Sequence, residues 1–233
     1  MNRLALLMQA LDYYGLPSNY QRIFTKVGKS GFRPISISDA VSRQTYAWVQ
    51  INDVDPGFPI DKPYNKDIVC VRNISLDIDY AKDPTKAHRI AISFSEYISN
   101  LFAHPTIPVE DTGGGSHIVI PIPRIDTALY GGGEAINLAI RRTVDELFKP
   151  EFLSLCDAHG VGRKEIDFGS YDVSRILSAP GTFRPPHATN PDAPFLKNGY
   201  IRKWLDIYDI NDIVRIECRG LRDAILDRVA SPA

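Results

Sequence analysis

The stretch RNISLDIDY, residues 72–80, alternates apolar Ile74, Leu76 and Ile78 with polar Asn73, Ser75, Asp77 and Asp79. Side chains of an extended strand point to opposite faces in turn, so the apolar residues share one side and both aspartates share the other. The branched residues suit a half-buried strand, yet two carboxylates side by side repel each other. A hard divalent cation between them turns that repulsion into a binding site. The alternative is a solvent-facing strand edge, where charge deters edge-to-edge pairing. On this stretch alone both readings stand.

The flanks extend the pattern. Upstream, TYAWVQIND (45–53) is aromatic and branched and predicts a strand ended by Asp53 and the turn-like DPGFP. Downstream, Pro84 suits a first helical turn, and Ile90, Phe94, Ile98 and Leu101 fall on one helical face. PTIPVEDTGGGSHIVIPIP (105–123) predicts two strands joined by a glycine turn. A second helix is predicted from Ile136, Ile140, Val144 and Leu147, and the first fifteen residues predict an amphipathic helix ending near Gly15. Residues 162–187 hold short strand-like runs, and 183–194 are proline-rich and polar, a loop or linker. From Leu196 onward the chain reads as one or two closing helices. Strands and helices are intermixed without an internal repeat, which predicts an α/β or α+β domain.

The chain has 233 residues, 44% hydrophobic and 24% charged, enough for one large domain or two small ones. A net charge of -1 excludes a globally basic nucleic-acid binder, so any polyanion site has to be a local basic patch. No run approaches the ~20 apolar residues of a membrane span, and the first helix is broken by Gln9 and Asp12, unlike a secretory leader. The expectation is a cytoplasmic protein with no membrane partner. Cys70, Cys156 and Cys218 are far apart and form no CxxC pair, which predicts buried free thiols rather than a disulfide framework or a zinc module.

Two further segments carry chemistry. In TGGGSHIVIPIP (112–123), the glycines Gly113, Gly114 and Gly115 expose backbone N–H groups and permit close approach of a phosphate, and His117 can reach the same anion. No GK[ST] follows, so this is not a P-loop, and a glycine hairpin with a surface His is the plainer alternative. In YDVSRILSAPGTFRPPH (171–187), Asp172 lies between apolar neighbours, and Arg175 and Arg184 flank a Pro-Gly turn where they can pair with phosphates or with acidic side chains. His88, His104, His159 and His187 have no partner at ligand spacing, and Arg202, Lys203 and Trp204 stand together either as a strand clamp or, for Trp204, as core.

Taken in order, a DxD strand, a glycine-rich hairpin ending in His, and an apolar-Asp segment followed by Arg and PGT resemble the archaeo-eukaryotic primase superfamily, primase-polymerase type, over about Tyr46 to Arg184. The resemblance implies an α+β catalytic core in which an N-terminal α/β unit and an RRM-like sheet unit enclose the active site in the cleft between them. It implies one catalytic domain over 1–233, with an N-terminal part to about residue 70, a motif-bearing core over 71–185 and closing helices over 195–233. Asp77 and Asp79 match the metal-binding pair, Asp172 the third acid, and His117 the phosphate-contacting histidine. Gly114, Gly115 and Ser116 lie beside that histidine, and Arg175 matches a commonly basic position. The family's Ser-x-His pattern is broken here, because Gly115 stands at its first position and the serine is displaced to Ser116.

The activity so implied is template-directed addition of dNTPs or NTPs to a DNA or RNA 3′ end with two Mg²⁺ or Mn²⁺ ions, with de novo primer synthesis or extension alone both open. The implied partners are a DNA template and primer, together with a helicase or other replication, mobile-element or CRISPR-associated proteins. Three other readings are an end-joining repair polymerase, a non-catalytic nucleic-acid-binding replication module, and a metal-dependent phosphohydrolase. The chemistry suits the residues: nucleotidyl transfer needs carboxylates for cations and basic groups for a triphosphate.

Overall fold

The computed structural model describes residues 2–16, 22–27, 31–42, 44, 46–55, 57–58, 63–80, 82–164, 166–169, 172–185, 199–205 and 207–230. The chain opens with α1 (Arg3–Tyr13), capped by Asn2 and stopped by Gly15 at φ +72°, a left-handed position that favours glycine. There follow β1 (Ile23–Val27), β2 (Gly31–Pro34), α2 (Ile37–Ser42), β3 (Trp48–Gln50), β4 (Asp53–Val54) and the long β5 (Ile68–Asp79). Next come α3 (Pro84–Leu101), β6 (Val109–Asp111), β7 (Gly115–Asp126), α4 (Gly133–Thr143) and α5 (Lys149–Ala158). The last elements are β8 (Asp167–Gly169), β9 (Ile176–Leu177), β10 (Phe183–Arg184), β11 (Tyr200–Ile201), β12 (Lys203–Trp204) and α6 (Arg219–Ala230).

Local chemistry accounts for the helix boundaries. Asp83 caps α3 by accepting from Lys86 N, and Pro84 occupies the first turn, where a missing N–H costs nothing. Between α4 and α5 the backbone widens into a π-helical turn over Val144–Phe148, just before Pro150. Pro150 has no N–H for the preceding turn, and the wider turn accommodates that gap.

Among the described residues the strands form a mixed α+β fold built on antiparallel sheets. One is ordered β2–β1–β3–β9; the larger runs β12–β6–β7–β5–β4, with β8 also paired to β5. The apolar face of β5 and β7 (Ile74, Leu76, Ile78, Ile118, Ile120, Ile122) packs on α3, α4, α5 and α6. Ile90, Phe94 and Ile98 of α3 are buried there as expected, whereas Leu101, the last residue of the helix, is exposed. A second core joins Leu7, Leu11 and Tyr14 to Ile23, Val49 and Leu177 of the smaller sheet, and includes Val119 from the opposite face of β7.

The larger sheet is therefore covered on both sides near its centre. Asn73 and Ser75, on the polar face of β5, are buried. Asn73 donates to Tyr14 O and Ile51 O, and Arg215 donates to its Oδ1. The solvent-edge reading of the aspartate pair fails here: β5 is flanked by β7 on one side and by β4 and β8 on the other.

The closing segment differs from expectation. Among its described residues, α-helix is confined to α6, a 3₁₀ turn spans Ile210–Asp212, and Tyr200–Ile201 and Lys203–Trp204 are strands. Tyr200–Ile201 pair with Phe183–Arg184, and Lys203–Trp204 pair with Glu110–Asp111. The open edge of β6 captures a segment whose aromatic and branched residues suit a strand. The three cysteines are buried free thiols, with burial pushing those of Cys70 and Cys156 up to about 11. Among the described residues no helix is long and apolar enough to cross a membrane.

Candidate active site

Two ladders bring the motifs together. Along β5 and β7, Asp77 stands opposite His117 and Asp79 opposite Gly115; along β6 and β7, Glu110 stands opposite His117. The polar face of β5 then looks into a cleft of about 160 Å³, walled on the other side by the smaller sheet. Asp77, Asp79, Thr112 and His117 line it together with Tyr46, Trp48, Arg175, Arg184 and Arg202.

Gly115 is required by the closeness of the two strands. A Cβ there would stand 2.7 Å from Asp79 Oδ1 and closer still to Ile78 O. That excludes serine from the first position of the Ser-x-His pattern in this chain. Ser116 is fully buried opposite Ile78, on the helix-facing side of β7, and does not line the cleft. Thr112 does line it, and its Oγ1 is buried without a hydrogen-bond partner among the described residues. A hydroxyl thus reaches the cleft from the other side of the glycine turn.

Charge is concentrated around His117. Its Nε2 lies 3.4 Å from Asp77 Oδ1 and its Nδ1 lies 3.4 Å from Glu110 Oε2. Burial works against the imidazolium, but the carboxylates of Asp77 and Glu110 outweigh it and lift the pKa to about 9. Glu110 is fully buried and accepts from Tyr14 Oη at its other oxygen. Burial likewise pushes the Asp77 carboxyl up, and His117, Arg175 and Arg184 more than reverse that, leaving it below its ordinary value. Arg175 donates to Asp77 Oδ2 at 3.2 Å. Arg184 donates to Thr112 O, and its guanidinium fills the space beside Gly114 that a side chain would need.

The glycine turn is braced from outside. Asp111 accepts from Gly113 N and from Tyr200 Oη, and His88 Nε2 lies 3.3 Å from Asp111 Oδ1 and 3.2 Å from Gly115 O. His88, which had no partner at ligand spacing in the sequence, thus packs against the hairpin.

Asp172 is placed elsewhere. It accepts from Arg141 at 2.6 Å and from Asn137 at 3.2 Å, both on α4, and does not line the cleft. Burial alone would raise its carboxyl, but Arg141 and Asn137 hold it below the usual range. The acid that the ladders bring to Asp79 is Asp167, directly opposite it on β8. Phe168, the next residue, stacks on Phe152 at 4.1 Å and meets Phe94 on the helix side.

The sequence held a signal for Asp167 equal to that for Asp172, since Ile166 and Phe168 flank it with apolar residues. Tyr46 and Trp48 were legible as a same-face pair, but nothing local marked that face as a cleft wall. Arg202 had no local signal tying it to the cleft; Trp204 beside it is core, bonded through Nε1 to Gln9. His187 and residues 186–194 of the proline-rich segment lie outside the described residues.

The donor set suits a hard divalent cation. Asp77 Oδ1 is a buried carboxylate oxygen that accepts no hydrogen bond among the described residues, and Asp79 follows on the same face. Among the described residues no three His, Cys, Asp or Glu side chains form a group able to hold an ion. Two carboxylates completed by substrate phosphates and water are nevertheless the usual Mg²⁺ arrangement. No protein-family model matches the chain, and no curated protein is similar to it in sequence.

Proposed function

We propose that the chain is a nucleotidyltransferase of the primase-polymerase type, adding nucleoside triphosphates to a nucleic-acid 3′ end on a template. The observation that carries this reading is the sidedness of the cleft: Asp77 and Asp79 stand on one wall, and Arg175 and Arg184 belong to the same enclosure. Acids that hold cations and bases that hold a triphosphate are the two requirements of the reaction, and here they face one small space.

Asp77 and Asp79, which both line the cleft, would hold the ions. When bound, Mg²⁺ or Mn²⁺ ions activate the attacking 3′-hydroxyl and take up charge on the leaving pyrophosphate. His117, charged at neutral pH, places positive charge beside the phosphates while its two N–H groups face Asp77 and Glu110. Thr112 Oγ1 adds a neutral donor, and Arg184 adds a fork suited to phosphate oxygens. Arg175, now on Asp77, is free to turn to the nucleotide once a cation neutralises that acid.

A second reading has its own support. The ion pairs of Asp77 with Arg175 and His117 neutralise it without any metal, as in a binding module whose catalytic site has lapsed. Extension assays on primed DNA, with Mg²⁺ or Mn²⁺ and both nucleotide types, separate the two. The polymerase reading expects metal-dependent extension, abolished in Asp77→Ala/Asp79→Ala and reduced about a hundredfold in His117→Ala. Repeating the assay without primer tests de novo synthesis. A folded wild type that binds DNA but never extends it, with Asp77→Asn binding equally well, replaces the enzyme with the binding module. Phosphate release without extension points instead to a hydrolase.

A further inference from the structure

The sheet β2–β1–β3–β9 has unlike faces. Ile23, Val49 and Leu177 pack into the core beneath α1, whereas the opposite face carries rings. Phe32 on β2 meets Trp48 on β3 edge to face, with centroids 5.6 Å apart. Trp48 stacks on Tyr46 at 5.1 Å with 15° between the planes. The Arg202 guanidinium lies 5.8 Å from the Tyr46 centroid. The path runs from a strand at the sheet edge to the cleft of Asp77 and Asp79, which Trp48, Tyr46 and Arg202 all line. None of the three rings is fully buried, so each keeps surface that a planar ligand can cover.

Arg202 supplies the second observation. It is only 3% exposed, and its Nε has no hydrogen-bond partner among the described residues. Its Nη1 reaches Thr182 Oγ1 at a long 3.4 Å. Burial, followed by the neighbouring Arg184, pulls its pKa down to about 9, with Tyr46, Glu110 and Asp79 offsetting part of this. Among the described residues no carboxylate forms a hydrogen bond or ion pair with this buried guanidinium.

We propose that this face is a track for single-stranded nucleic acid, on which Phe32, Trp48 and Tyr46 stack unpaired bases and Arg202 takes a backbone phosphate at the inner end. Rings that offer a π-face and a cation that follows the backbone are how proteins hold single strands without reading sequence. That the strand is a template rests on the polymerase reading; the track rests on the rings and Arg202. The inner end places the strand's bases beside the acids, where a templating base has to be.

The chain's two tryptophans make the test direct. Trp204 is 4% exposed in the core, so Trp48 is the one a bound base can quench. Full-length protein in EDTA is titrated with an oligothymidylate of about a dozen nucleotides, with the matching duplex, and with dTTP alone. The track expects quenching by the single strand and little by the other two. By fluorescence polarisation of a labelled strand, Trp48→Leu and Tyr46→Leu each bind about tenfold more weakly. Trp48→Phe keeps near-wild-type affinity, and Arg202→Gln lowers the slope of log K against log salt by about 0.7. Circular dichroism confirms that each variant is folded. Wild-type affinity in both Leu variants overturns the track, and so does quenching by dTTP with none from the strand, since the rings then serve the incoming nucleotide. A strand that quenches Trp48 in a protein unable to extend primers sinks the polymerase reading and leaves the track. Extension by Trp48→Leu at unchanged template KM does the reverse.

Discussion

At the scale of single residues, His117 couples the site to the stability of the fold. Both ring nitrogens face carboxylates, so the imidazolium is favoured in the folded chain far more than in the unfolded one. Its pKa rises from 6.5 to about 9 on folding, and the folded state therefore binds more protons between those values. Stability from this group is complete below 6.5 and is lost as the pH climbs through about 9. Arg202 acts with the opposite sign, but only above about 9, because its folded pKa is depressed to that value. Urea midpoints measured in EDTA from about pH 6 to about pH 9 are expected to fall for wild type and to stay nearly level for His117→Gln. Parallel curves for the two proteins would show that the carboxylates do not hold the imidazole charged.

At the scale of elements, the β5–β7 pair is what presents the acids, and Gly115 sets how closely the two strands approach at the Asp79 end. Asp79 and the Ile78 carbonyl occupy the space where any side chain at 115 would go. Gly115→Ala has to push the strands apart beside Asp79, which should cost about 1–3 kcal/mol. Loss of extension beyond that explained by unfolding should accompany it. Denaturant titration beside the extension assay measures both, and an alanine variant of full stability and activity would mean the approach is looser than described. Bracing of the same turn by Asp111, His88 and Tyr200 explains how a run of three glycines remains ordered in spite of its conformational freedom.

At the scale of the whole molecule, the two hydrophobic cores are tied together by polar groups that neither could satisfy alone. Arg215, in the segment before α6, donates to Tyr13 O, Asn73 Oδ1, Arg72 O and Ile122 O, joining α1, β5 and β7. Buried carbonyls stranded by its removal each carry a desolvation cost. Arg215→Met is expected to lower stability by about 2–3 kcal/mol and to loosen α1 from the larger sheet. Hydrogen exchange read beside urea unfolding would register both effects. A loss below about 0.5 kcal/mol would mark the contacts as incidental. The cleft depends on this tie, because its two walls belong to different sheets.

What the sequence determined by itself is what a local period can carry. Alternation placed Ile74, Leu76 and Ile78 opposite Asp77 and Asp79, helical spacing placed Ile90, Phe94 and Ile98 on one face, and TGGGSH marked a turn delivering His117. These follow from backbone geometry and the burial of one face, and both act over a few residues. The tertiary structure alone decided that the polar face of β5 is covered, because its cover comes from α1 and Arg215 at opposite ends of the chain. It also gave two acids with the same local signal different surroundings: the backbone of Asp167 pairs with Asp79 in a ladder, while Asp172 accepts from Arg141. Tyr46, Trp48 and Arg202 meet at the cleft for the same reason. Strand pairing between distant segments is set by the register of the whole sheet, and no short stretch contains that register.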